Sequence, residues 1–111
     1  MSKNSVSFIP LTTLNAANLN AVTWRIINPT GLPKACFEII VINNSNTAIE
    51  LSTDEATQMV YMAPSSQLVF NIQANAGPAS WISKFAAGTF FYARGTAGVG
   101  TIALMGLYNT I

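Results

Sequence analysis

Chemistry near neutral pH needs side chains that titrate, ligate or attack, and this 111-residue sequence holds few of them. It has no histidine and four carboxylates, Glu38, Glu50, Asp54 and Glu55. General acid–base work draws on histidine or on carboxylates tuned as a pair. Asp54 and Glu55 are adjacent, but neighbours in an extended chain point apart and no other acidic residue lies close in sequence. They read as a solvated turn, not a hard-cation site. One cysteine and no histidine exclude a zinc site. A serine nucleophile would have only Lys3, Lys34 or Lys84 as its base, none in a supporting motif. Cys36 lies in an apolar run and reads as a small buried hydrophobe, and alone it forms no intramolecular disulfide. The expectation is a protein without enzymatic activity, metal or cofactor.

Two other patterns have bland readings. Gly95-x-x-Gly98-x-Gly100 resembles a phosphate loop, yet no helix opens after it and no Gly-Lys-Ser/Thr follows, so it is expected to join two strands. Lys3, Arg25, Lys34, Lys84 and Arg94 are scattered, which does not make a nucleic-acid face. The remaining candidates are surfaces for contact. Trp24 alternates with Val22 and Ile26 and is expected in the core. Trp81, with Ile82 and Phe85, sits in an irregular segment after Gly77-Pro78, where an aromatic ring can anchor a protein interface or stack on a sugar. Phe8, Ile9, Pro10 and Leu11 form an apolar stretch near the N-terminus, suited either to docking on a neighbour or to an edge strand.

Half of the residues are hydrophobic and 8% are charged, against about 25% charged in an ordinary soluble domain. No apolar run approaches the roughly 20 residues of a spanning helix, so a membrane location is not expected. The first twenty residues lack the continuous apolar core of a secretory signal, which predicts synthesis in the cytoplasm. A formal net charge of +1 leaves little self-repulsion to oppose close association and no field to gather nucleic acid.

The elements that must carry these residues follow a strand-and-turn pattern: short runs rich in Val, Ile, Phe, Tyr and Thr between clusters of Asn, Gly, Pro and Ser. Residues 21–28 are predicted as a strand with Val22, Trp24 and Ile26 inward, ended by Pro29, Gly31 and Pro33. Residues 36–43 are apolar on both faces except at Glu38, as for a central strand or one at an interface. Asn43-Asn44-Ser45-Asn46 is predicted to turn it into a hairpin with residues 47–52, Ile49 and Leu51 facing in. Further strands are expected at 59–63 and 67–73, with a C-terminal hairpin of 89–94 and 101–108. With a strand inside residues 5–14 the count is about eight. This predicts one all-β domain, a β-sandwich of jelly-roll type, in residues 21–111, preceded by an arm or edge strand in residues 1–20.

Asn43-Asn44-Ser45-Asn46 with Ile49 and Ser52, and the run Lys84 to Thr101, resemble small jelly-roll proteins of tailed-phage structural gene clusters. The core of the likeness is Gly88-Thr89, Tyr92, Arg94-Gly95-Thr96, Gly98 and Gly100. Within that group the length, neutrality and apolar N-terminal stretch are most similar to capsid decoration proteins of cement or staple type, as in epsilon15-like bacteriophages. The resemblance implies a virion protein on the capsid surface that bridges subunits of an HK97-like major capsid (coat) protein. It also implies a homodimer or other homo-oligomer, and no enzymatic step. Tail and fibre components share similar phrases, so a carbohydrate-binding tail module is the alternative.

Overall fold

The computed structural model describes residues 5–55, 60–71 and 85–110. Nine strands are formed among them: β1 (Ser5–Phe8), β2 (Thr12–Asn15), β3 (Arg25–Ile26), β4 (Glu38–Ser45), β5 (Ile49–Ser52), β6 (Val60–Met62), β7 (Ser66–Asn71), β8 (Tyr92–Arg94) and β9 (Gly100–Thr110). The only helical element among the described residues is a 3₁₀ turn, Ala16–Asn18, capped by Asn15, whose side chain accepts the Ala17 N–H.

All pairings are antiparallel and fall into two sheets. The first runs β1-β9-β4-β7, with β2 also on β9; the second runs β3-β8-β5-β6. One hydrophobic cluster takes Ile39, Val41, Ile102 and Leu104 from the first sheet and Ile49, Leu51, Met62 and Ala93 from the second. The two sheets therefore bury their inner faces against each other, the all-β sandwich expected from the strand-and-turn pattern. Phe91 is fully buried, and its ring lies 5.5 Å from that of Phe85, which in turn meets Phe70 at 6.1 Å.

Strand phase came out as the alternation predicts in β5, where Ile49 and Leu51 are buried and Glu50 is half-buried. Cys36 is fully buried, and that burial pushes its thiol pKa up, away from reactivity. Gly31, between the two prolines, takes φ +77°.

Two connections differ from the expected hairpins, and a third also crosses between the sheets. β4 continues through Asn43 and Asn44 to Ser45, and the next strand, β5, lies in the other sheet. β8 and β9 likewise belong to opposite sheets, as do β6 and β7. Turn residues mark where the chain bends but not which sheet receives it. That choice depends on which apolar faces meet across the core; β4 ends as a central strand, paired along both edges with β9 and β7.

Residues 21–28 also differ. The extended part is only Arg25–Ile26, and Val22 is 80% exposed instead of inward. Asn20 Oδ1 accepts the N–H groups of both Val22 and Thr23, each at 2.8 Å, and this turn breaks the strand before it can start. Trp24 is buried as expected, and Ile27 takes the fully buried place assigned by alternation to Ile26.

Residues 5–20 are built into the same sandwich: β1 and β2 lie on β9, and Ile9, Ala16 and Leu19 join the core.

Candidate functional site

The two outer faces of the sandwich differ sharply, and the difference comes from which residues occupy the outward phase of each strand. On the second sheet the outward positions of β5, β6 and β8 are polar or aromatic. Glu50 lies opposite Tyr61 on β6 and opposite Arg94 on β8. Arg94 Nε donates to Glu50 Oε1 at 2.6 Å, and its guanidinium carbon sits 4.3 Å from the centre of the Trp24 ring. Glu50 and Arg94, with Tyr61, Thr96 and Ala21, rim a shallow depression of about 240 Å³. That is below the usual size of a small-molecule pocket, about 300–1,000 Å³. Arg94 is locked between an anion and an indole, so its charge is used within the fold. Arg94→Ala is expected to lower the urea unfolding free energy by about 1–2 kcal/mol, the sum of a cation–π contact and a partly screened ion pair. Arg94→Lys should recover the charge but not the planar stacking. A loss below a few tenths of a kcal/mol for Arg94→Ala would show that neither contact stabilises the fold.

The first sheet presents an apolar outer face. Along β4 the inward residues are Ile39, Val41 and Asn43, which leaves Glu38, Ile40 and Ile42 outward and half-buried. Register extends this phase to its neighbours in three rows: Leu107–Glu38–Asn71, Met105–Ile40–Val69 and Ala103–Ile42–Gln67. Val69 is 45% exposed, and Met105, Leu107 and Ala103 are half-buried. An antiparallel sheet with one solvated face normally alternates apolar-in and polar-out. This sheet does not, whereas the second one does.

The N-terminal candidates separate by strand phase. Phe8 and Leu11 are 63% and 58% exposed and Pro10 is exposed, whereas Ile9 is 5% exposed and donates its N–H to Gly106 O. Ile9 is thus a core residue and not an interface one. Phe85 is also taken up by the fold: its backbone bridges Cys36 in both directions, at 2.8 and 2.7 Å, and its ring packs on Phe70 and Phe91. Trp81 and Ile82 lie outside the described residues. Of the apolar outer face on β4, β7 and β9, the sequence signalled only the doubly apolar run at 36–43, read there as a central strand or one at an interface.

The glycine-rich run bears no phosphate geometry, because it packs on its own chain. Asn46 Oδ1 accepts the Val99 N–H at 2.9 Å, Asn46 N–H donates to Val99 O, and Gly98 and Gly95 donate to Ala16 O and Asn20 O. The two stretches that carry the family likeness, Asn43–Asn46 and Gly95–Gly100, are therefore in direct contact. Among the described residues no group of three or more His, Cys, Asp or Glu is placed to hold a metal ion, and no helix is long and apolar enough to cross a membrane.

No protein-family profile matches the chain, and no curated protein matches it. Among solved structures it is similar to the SPP1 Dit (gp 19.1) protein, described as a paradigm of the hub adsorption apparatus in phages that infect Gram-positive hosts. The identity is 11% and the TM-score 0.40, over 93% of this chain and 49% of the other. The chain thus spans about half the length of that structure.

Proposed function

We propose that this chain is a non-enzymatic virion structural protein that binds the outside of a capsid shell and stabilises it by bridging coat-protein subunits. The observation that carries this reading is the pre-ordered apolar rim of Phe8, Pro10 and Leu11. It is held along one edge of β9, by β1 before it and β2 after it, and pinned in the middle by buried Ile9. Exposed apolar side chains on a fixed backbone lose little conformational freedom on docking. A surface with few charges keeps the desolvation cost of covering it low. Many copies on a lattice add avidity, so no single contact has to be tight. The likeness of Gly88 to Thr101 to jelly-roll proteins of phage structural clusters supports the same reading, with an HK97-like coat protein as partner.

The test is co-sedimentation with purified shells and the heat resistance of those shells. Wild-type protein should sediment with them and raise their resistance. Leu11→Asp, on an exposed connection where the fold tolerates charge, should weaken shell binding at least tenfold, equivalent to about 1.4 kcal/mol. Equal resistance with and without the protein would sink the proposal. Glycan binding lost on Trp81→Ala, without affinity for shells, would replace it with a tail module that recognises carbohydrate.

A further inference from the structure

We propose that the depression on the outer face of the second sheet is a second docking site, which takes an uncharged polar loop of a coat subunit other than the one seated on the Phe8–Leu11 rim. The inference rests on the capsid reading and deepens it, because bridging needs two docking sites and the rim supplies one.

The two sites face opposite ways. Phe8 pairs with Leu107, which stands in the outward row of Glu38, so Phe8 leaves the first sheet on the side away from the core. Tyr61, Glu50 and Arg94 form one cross-strand row on the outer face of the second sheet. The outer faces of a sandwich look away from each other. One subunit surface therefore cannot cover both the rim and this row, whereas two subunits can.

The row has the make-up of a protein contact. Tyr61 is 62% exposed, and Ala21 and Thr96, which line the same depression, are exposed. Tyr, Trp and Arg are the residues that most often carry binding energy at interfaces, and here Tyr61 and Arg94 share a row, with the Trp24 ring against the guanidinium. Docking on them orders little, because Arg94 is already held by Glu50 and the indole. Covering an ion pair whose side chains are 30% and 31% exposed also removes its screening and strengthens it.

The same pair selects the charge of what enters. Glu50 and Arg94 neutralise each other, so an incoming ion meets a like charge beside the opposite one. A neutral polar group meets only hydrogen-bonding capacity. Nε and Oε1 are engaged with each other, whereas the terminal nitrogens of Arg94 and Glu50 Oε2 make no hydrogen bond among the described residues. An amide, from a peptide group or an Asn or Gln side chain, has an acceptor and a donor side by side and a flat face for the Tyr61 ring. A depression of about 240 Å³ admits one such group at a loop tip.

The test is sedimentation with purified shells, read both as occupancy and as heat resistance. Wild type should bind and protect. Tyr61→Ala, which truncates an exposed ring, should bind at least tenfold more weakly. Shells refilled with that variant through the rim, at high concentration, should regain less than half of the protection. Thr96→Glu, which puts bulk and charge at the mouth of the depression, should act alike, so a folding defect in one variant does not decide the outcome. Tyr61→Phe keeps the ring and should match wild type, and urea unfolding checks the fold of each. Tyr61→Ala and Thr96→Glu that bind and protect as wild type does would overturn the proposal. So would saccharide binding that is lost with Tyr61→Ala while shell protection persists, which would make the depression a glycan site. Binding lost with Leu11→Asp but kept with Tyr61→Ala leaves the capsid reading standing and sinks this one; a wild type that ignores shells sinks both.

Discussion

Replacing Gly100 by alanine is expected to cost about 3–5 kcal/mol of folding free energy, enough to lower the melting temperature of a domain this size by roughly 15–30 °C. Two effects combine. Gly100 opens β9 with φ at +118°, a conformation that an L side chain adopts only under strain of about 1–3 kcal/mol. A Cβ there would also run into Asn44 O and the Ser45 Cα, which are backbone atoms of the paired strand β4. Backbone atoms in a paired strand cannot move aside without breaking the ladder at Ser45 and Gly100. Gly88→Ala supplies the control: Gly88 has φ +87°, but nothing lies within 4 Å of its added Cβ, so it suffers the strain alone. Thermal and urea unfolding of the two variants should differ by at least about 1 kcal/mol. Equal losses would show that the close approach of β9 to β4 is not a constraint.

That close approach shows why the class of fold was legible while its connections were not. Period-2 alternation is a local property, and it correctly placed Ile49 and Leu51 inward, as the apolar run did Cys36. Whether β5 pairs with β4 or crosses to the second sheet depends on which apolar faces meet across the core, at long sequence separation. Asn-Asn-Ser-Asn therefore read as a hairpin turn although β4 runs through it to Ser45. One signal in the sequence was stronger than the turn propensity: the inward phase of Ile39 and Val41 continues two residues at a time to Asn43 and Ser45. Followed strictly, it puts a polar pair inside. Asn read only as a turn residue, yet Asn28 and Asn43 are 1% and 0% exposed. Asn28 Oδ1 accepts the Phe91 N–H at 2.8 Å, and its Nδ2 donates to Thr89 O at 3.0 Å, which ties the strand entering β8 to the segment after β3. The apolar outer face was readable in residues 36–43, but β7 and β9 join it only through sheet order. Ile9 was grouped with Phe8 and Leu11 because they are consecutive, whereas strand phase separates them.

The same inward asparagine supports a second large effect. Asn43→Ala should destabilise the protein by about 3 kcal/mol. Asn43 Nδ2 donates to Thr47 O at 2.9 Å and to Ala63 O at 3.0 Å, and its Oδ1 accepts from Ser45 Oγ at 2.5 Å. Thr47 lies just before β5 and Ala63 just after β6, so one amide holds the end of β4 to two of the crossings between the sheets. Alanine removes the donor from two part-buried hydrogen bonds, to Thr47 O and Ala63 O, and an unmade buried hydrogen bond costs about 1–3 kcal/mol. The Ser45 hydroxyl can turn its proton to Thr47 O, at 3.1 Å, which limits the loss. Asn43→Leu separates polarity from volume: it fills the space, yet should cost about as much as alanine if hydrogen bonding is the cause. A double-mutant cycle with Ser45→Ala should then show a coupling of about 1 kcal/mol, because once the amide is gone the hydroxyl has already changed partner. Strict additivity would mean that Asn43 and Ser45 act separately, and that the crossings between the sheets are held by the core alone.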